Sequence, residues 1–160
     1  MNEFFDLSSI YKSIKILLLG SYIPENLRVL EKIKNDLKSK GFENTYLGKD
    51  LRKNWDNSKN ISDIYVKIEK AIQEFDFNIF VLFHNISSPA TRFKQENDST
   101  IVELMSLICS GTYSEKRKRT LVFIPQGYIS SMLKGVIESK RVNIFEYDNY
   151  QQIYKKCPMY

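Results

Sequence analysis

Short apolar runs alternate with amphipathic stretches along most of the chain. Runs such as IKILLL and NIFVLF are typical of strands buried on both faces, whereas the longer stretches repeat apolar residues every three or four positions. The apolar runs predict strands at 14–19, 45–47, 78–83, 120–124 and 142–145. The amphipathic stretches predict helices at about 24–40, 62–75, 100–110, 128–140 and 148–156. The remaining polar stretches predict loops at 49–60 and 85–98 and a basic turn at 116–119.

Strands that alternate with helices favour right-handed crossovers and a parallel sheet. We therefore expect one three-layer α/β domain of flavodoxin-like or Rossmann-like type. Its sheet would have five strands, most of them parallel. The domain would span residues 14–160 and follow an N-terminal extension at 1–13.

Composition narrows the class of protein. The 160 residues are 42% hydrophobic and 27% charged, which suits one domain with a packed core. No apolar run approaches the roughly 20 residues that cross a bilayer, and the first residues lack the basic start of a signal peptide. We therefore expect a cytoplasmic protein. The net charge of +5 suits an anionic ligand, but no nucleic-acid-binding motif is present, so nucleic acid is not the expected partner.

The cysteines and the histidine do not suggest a metal site. There are two cysteines and one histidine, and they form no ligand pattern with metal-site spacing. We expect no metal and no cofactor. Cys109 lies among apolar residues and is expected to be a small buried hydrophobe.

In an open α/β sheet, ligands bind beyond the carboxyl ends of the strands. The segment from Gly20 through Ser21 to Tyr22, the residue His84, and Gln126 each follow a predicted strand and are expected there. Gly20 would let a ligand approach the backbone and Tyr22 would stack on a base or sugar, although an ordinary strand-to-helix turn explains both equally well. His84 is a candidate for ligand contact or catalysis.

Thr100 and Glu103 begin the third amphipathic stretch and allow two interpretations. They fit a capping box, in which the threonine and the glutamate satisfy the first backbone N–H groups of the helix. They also fit a carboxylate in the first helical turn that attacks an anomeric carbon. The rest of this helix is apolar except for a stripe at Glu103, Ser106 and Ser110. We therefore expect the sheet to cover one side of it and a second subunit the other.

The chain resembles the nucleoside 2-deoxyribosyltransferase family. The resemblance rests on Gly-Ser-Tyr after the first strand, Phe75-Asp76 before a later strand, and the segment around Glu103, and it extends over residues 14–146. Relatives of that family include nucleoside-phosphate N-glycosidases and, more distantly, Toll/interleukin-receptor-type NAD-cleaving domains. The family pattern Asp-x-Gly-Thr-x-x-Glu is matched here by Asn97, Ser99, Thr100 and Glu103, with Asp98 beside the changed aspartate.

The resemblance implies cleavage or transfer of an N-glycosidic bond in a nucleoside, nucleotide or NAD-like substrate. Glu103 would be the nucleophile, and Asp98 or His84 would replace the acid that the family usually carries after the third strand. The residues implied in substrate binding are Gly20, Ser21, Tyr22, Asn97, Ser99, Thr100 and Gln126. The resemblance also implies a homodimer or a higher homo-oligomer. The aspartate of this pattern is Asn97 here, and the acid that the family carries after the third strand is also missing. A non-catalytic nucleotide-binding or sensing domain is therefore the alternative.

Overall fold

The computed structural model describes residues 7–52, 61–84, 90–109, 114–127 and 131–157. The helices in these ranges are α1 (Leu7–Ser13), α2 (Pro24–Ser39), α3 (Gly48–Arg52), α4 (Ile61–Glu74), α5 (Ala90–Cys109), α6 (Ser114–Lys118), α7 (Ser131–Ser139) and α8 (Tyr150–Lys156). The strands are β1 (Lys15–Gly20), β2 (Asn44–Leu47), β3 (Phe77–Val81), β4 (Thr120–Pro125) and β5 (Asn143–Tyr147).

The five strands form one sheet in the order β2-β1-β3-β4-β5, and every neighbouring pair is parallel. This confirms the three-layer α/β class, with a sheet that is parallel throughout. From β1 the chain proceeds to β2 on one side and later to β3 on the other. The carboxyl ends of β1 and β3 therefore form the switch point at which open sheets of this kind bind ligands.

Each face of the sheet has its own apolar core. Residues of α2 and α8, including Leu30 and Ile153, pack against one face. Residues of α4, α5 and α7, including Ile68, Leu104 and Ile137, pack against the other. Helix α1 joins the first core through Tyr11, whose ring centroid lies 5.0 Å from that of Phe42. None of the helices in these described ranges combines the length and apolar character that a membrane crossing requires.

Helix α5 begins at Ala90, well before the predicted start near residue 100. Its first half is rich in Arg, Lys, Gln and Glu, which favour helix but give no apolar pattern that reveals one. The predicted loop at 85–98 is therefore wrong from residue 90 onward, and 85–89 lie outside the described residues. Thr100 and Glu103 stand in the helix interior, so they form neither a capping box nor a first turn.

Smaller differences occur elsewhere. The loop predicted at 49–60 begins inside the short helix α3, and 53–60 lie outside the described residues. Most of the basic turn predicted at 116–119 is the last part of α6. Helix α7 is described from Ser131, because 128–130 lie outside the described residues. Cys109 is exposed rather than buried, because it is the last residue of α5 and lies off the stripe that faces the sheet.

Candidate functional site

Gly20 ends β1 beside Phe83, which follows β3. A Cβ atom at Gly20 would lie 3.1 Å from a Phe83 ring carbon and 3.2 Å from a Leu30 methyl carbon. A side chain here would force these neighbours to move by a few tenths of an ångström, so close packing favours glycine at this position. Gly20 therefore brings the ends of β1 and β3 into close contact.

Asn97 joins α5 to the chain just beyond β3. Its Nδ2 donates to the Phe83 carbonyl oxygen at 2.8 Å, and its Oδ1 accepts from the Phe83 N–H at 2.7 Å. The side chain is fully buried, so these bonds satisfy backbone groups that water does not reach. The arrangement needs one donor and one acceptor, which an amide has and a carboxylate lacks. Asn97 stands at the position where the family pattern has aspartate. Its amide is suited to hold α5 against Phe83, and we call this pair of hydrogen bonds the Asn97 clip.

Glu103 lies in the interior of α5 and is only 9% exposed. Ser106, one turn later on the same side of the helix, donates to Glu69 Oε1 of α4 at 3.0 Å. Glu103 therefore lies at the junction of α4 and α5, which we call the α4–α5 seam. Side chains of a helix lean toward its N-terminus, and α5 follows β3, so we expect this carboxylate to lean toward the carboxyl edge of the sheet.

Thr100 precedes Glu103 by one turn and is fully buried. Its Oγ1 has no hydrogen-bond partner among the described residues. A buried hydroxyl without a partner costs about 1–3 kcal/mol. Thr100 therefore offers a bound ligand or water a polar group beside Glu103.

Tyr22 extends from the end of β1 to the start of α3. A Cβ atom at Gly48 would lie 2.5 Å from the Tyr22 hydroxyl oxygen and 2.9 Å from a Leu19 methyl carbon, so only glycine leaves room for this hydroxyl. That Cβ position at Gly48 is also 3.6 Å from a methyl carbon of Ile68 in α4. Tyr22 thus reaches the layer of α4 at the residue before Glu69.

Asp50 fixes the turn that contains Gly48. Its Oδ2 accepts from Lys34 Nζ at 2.5 Å and from the Leu47 N–H at 3.0 Å. Partial burial opposes ionisation, but these bonds outweigh it and hold the pKa of Asp50 below its usual value. The ionised carboxylate therefore ties α2, β2 and α3 together beside Tyr22.

Four other candidate site residues lie near the ends of β1 and β3 and differ in how deeply they are buried. Ser21 is buried, and its Oγ accepts from the Ile23 N–H at 3.5 Å where α2 begins. Asp98 and Ser99 are exposed on α5, and His84 is half-buried directly after β3. Within the described part of the chain, no three His, Cys, Asp or Glu side chains are grouped so that they hold a metal ion.

Gln126 lies apart from this group. It follows β4, and with its Nε2 oriented toward Asp148 it donates to that carboxylate. Its backbone N–H also donates to the Tyr147 carbonyl oxygen at 2.9 Å. The structure thus brings Tyr22, Asn97, Thr100 and Glu103 to the β1–β3 side of the carboxyl edge and leaves Gln126 on the β5 side.

Sequence analysis missed two residues of the site. Glu69 is one polar residue on an amphipathic helix, and nothing local in the sequence distinguishes it from a solvated one. Gly48 directly follows the short strand β2, and a glycine in that place was a usable signal of close packing.

No protein-family model and no curated protein matches the chain. Among solved structures, it is similar to the CMP N-glycosidase BcmB of Clostridium botulinum. The similarity has a TM-score of 0.56 and covers 91% of this chain and 100% of that chain, at 17% sequence identity. At this identity the likeness establishes the fold, which agrees with the parallel sheet and the helices on both of its faces.

Proposed function

We propose that this protein cleaves the N-glycosidic bond of a nucleoside or nucleotide, with Glu103 as the nucleophile. The observation that carries the proposal is the placement of Glu103. It is a nearly buried carboxylate on the α4–α5 seam, and Asn97 of the same helix is bound to Phe83 just beyond β3. A similar fold in a CMP N-glycosidase supports a nucleotide as the substrate.

The reaction has two balanced steps. A Glu103 oxygen forms a bond to C1′ of the sugar while the C1′–N bond breaks, and the electron pair leaves with the base. A proton from an acid neutralises the departing base. Water then attacks C1′, gives up a proton, and releases the sugar, which restores the Glu103 carboxylate. A second base in place of water would make the reaction a transfer.

His84 is the better placed of the two proposed acids. It follows β3 directly, next to the peptide unit that Asn97 holds, and it is half-buried. Asp98 is exposed and lies five residues before Glu103, a spacing that puts the two side chains about 140° apart around the helix. The proposed mechanism therefore assigns base protonation to His84.

A second candidate function is nucleotide binding without turnover. Asn97 uses its amide to hold Phe83, so the carboxylate of the family pattern is missing at this position. A site that keeps Glu103 and Thr100 but lacks an efficient acid would hold a nucleotide without consuming it.

The direct test is to incubate the protein with CMP, other nucleotides, nucleosides and NAD, and to measure free base by chromatography. For any substrate that is cleaved, we expect Glu103→Gln to lower the rate by roughly a thousand-fold or more. A 2-fluoro nucleoside analogue should leave a sugar adduct on Glu103 that mass spectrometry locates.

Glu138→Gln is the matched control, because Glu138 is an exposed glutamate on α7. We expect this variant to keep the full rate. Base release that survives Glu103→Gln would overturn the role of Glu103. A nucleotide that raises the melting temperature of the protein and stays intact would favour binding without turnover.

A further inference from the structure

A cavity lies on the opposite face of the sheet from α5, the helix that carries Glu103. It has a volume of about 340 Å³ and is bordered by β5 and α8, and we call it the β5–α8 trough. Strand β5 is an edge strand of the described sheet. Cavities of roughly 300–1,000 Å³ are the usual size of small-molecule sites.

The floor of the trough is aromatic. The rings of Phe123 and Phe145 lie with their centroids 6.0 Å apart and tilted by 33°. Phe145 is only half-buried although it stands inside a strand. A partly uncovered ring over a packed second ring favours contact with another flat apolar group.

The wall of the trough is cationic. Gln152, Lys155 and Lys156 line it from positions i, i+3 and i+4 of α8, which share one side of the helix. Lys156 Nζ lies 5.2 Å from the Phe145 ring centroid, above the aromatic floor. Neither lysine forms an ion pair within the described ranges.

The acids near the trough are already engaged. Glu146 accepts from Lys134 of α7, which packs on the other face of the sheet, so its charge is directed away. Asp148 accepts from Gln126, and the Asp148 N–H donates to Gln152 Oε1 at 2.8 Å. Glu146 is neutralised by Lys134, whereas Asp148 keeps its charge beside the neutral amide of Gln126. Two lysines against this one carboxylate leave the described lining with a net positive charge at the lysine end.

We propose that the β5–α8 trough is a binding site for an aromatic anion, such as a nucleoside monophosphate. The flat group would replace the Lys156 ammonium over Phe145, and Lys155 and Lys156 would bind the phosphate. Helical rise places Lys155 and Lys156 about 4.5 and 6 Å along α8 from Gln152, so both ammonium groups lie toward one end of the trough. This site is separate from Glu103 and does not depend on the proposed reaction.

Titration calorimetry on the Glu103→Gln variant tests the proposal without turnover. The probes are phenyl phosphate, inorganic phosphate and AMP. We expect phenyl phosphate and AMP to bind at least ten-fold more tightly than inorganic phosphate, because only they supply a ring. The double variant Lys155→Ala/Lys156→Ala should weaken their binding ten-fold or more, and Phe145→Leu should remove the preference over inorganic phosphate.

Lys140→Ala is the control, since Lys140 is exposed and lies outside the trough. It should leave the affinity for phenyl phosphate unchanged. Equal affinity in the double lysine variant, or equal affinity for phenyl phosphate and inorganic phosphate, would overturn the proposal. AMP binding that persists in the double variant would assign AMP to another site and also count against the trough.

Discussion

Helices α2 and α5 cover opposite faces of the same sheet, but they bury different kinds of side chain. Of the buried residues of α2, four are apolar, namely Val29, Leu30, Ile33 and Leu37, and one is Asn26. The buried residues of α5 include Leu104 and Leu107, but also the polar residues Asn97, Thr100 and Glu103. Burying polar groups is costly unless each has a partner.

The difference separates two ways of holding a helix on a sheet. The apolar surface that α2 buries keeps this helix on the sheet, and other apolar residues of fitting shape would stabilise it equally. A specific pair of hydrogen bonds from Asn97 helps to hold α5, which also buries a carboxylate that contributes little to packing. We infer that α2 is a scaffold element, whereas α5 buries polar groups at positions that the proposed reaction would use.

The largest expected effect is on α2. Leu30 is fully buried, so Leu30→Ala should lower the free energy of unfolding by about 3 kcal/mol through lost burial and a residual cavity. Urea denaturation followed by circular dichroism measures it. Arg28→Ala, at an exposed position of the same helix, should change stability by less than about 0.5 kcal/mol. A loss below about 1 kcal/mol for Leu30→Ala would contradict the packing account of α2.

The next effect should depend on pH. In Asn97→Asp, an ionised carboxylate would face the Phe83 carbonyl oxygen, which raises the folded-state pKa of the new carboxyl above its unfolded value of about 3.9. The folded protein then binds more protons than the unfolded one. Relative to the parent, Asn97→Asp should be most stable below about pH 4 and should lose stability as the pH rises through the folded-state pKa of the new carboxyl. At pH 7 its free energy of unfolding should be about 2 kcal/mol lower than that of the parent.

Asn35→Asp is the control for this variant, because Asn35 is exposed on α2. Its unfolding free energy should follow that of the parent protein at every pH. If the unfolding free energy of Asn97→Asp also follows that of the parent between pH 4 and 8, the Asn97 clip does not stabilise the protein as described.

The smallest effect compares two buried threonines. Thr45 Oγ1 donates to the Phe42 carbonyl oxygen at 2.8 Å, so Thr45→Val should cost about 1 kcal/mol. Thr100 Oγ1 lacks a partner among the described residues, so Thr100→Val should be neutral or slightly stabilising without ligand. Differential scanning fluorimetry measures both. A nucleotide that binds beside Glu103 should stabilise the parent more than Thr100→Val, and an equal shift would exclude Thr100 from ligand contact.

Local signals explain why α2 was predictable and α5 was not. Pro24 at the first turn of α2 and Gly41, with a φ of 100° just after it, are start and stop signals that the sequence displays directly. The first half of α5 has no apolar periodicity, so only its second half was recognised. The buried strands were also predictable from local sequence, because a short continuous run of apolar residues indicates a strand that is buried on both faces.

The candidate site was predictable where it depends on chain order alone. The rule that ligands bind at the carboxyl edge, together with the family pattern, directed attention to Tyr22, Thr100 and Glu103. The bond between Glu69 and Ser106 joins residues 37 positions apart, and no local pattern encodes it. The position of Gln126 beside Asp148 depends on the lateral order of the strands, which is a property of the assembled sheet.

The amide of Asn97 has a mechanical consequence for the whole carboxyl edge. Because it binds both backbone polar groups of Phe83, it joins the segment just beyond β3 to the middle of α5. We therefore expect a molecule that displaces His84 to shift the helix that carries Glu103 as well.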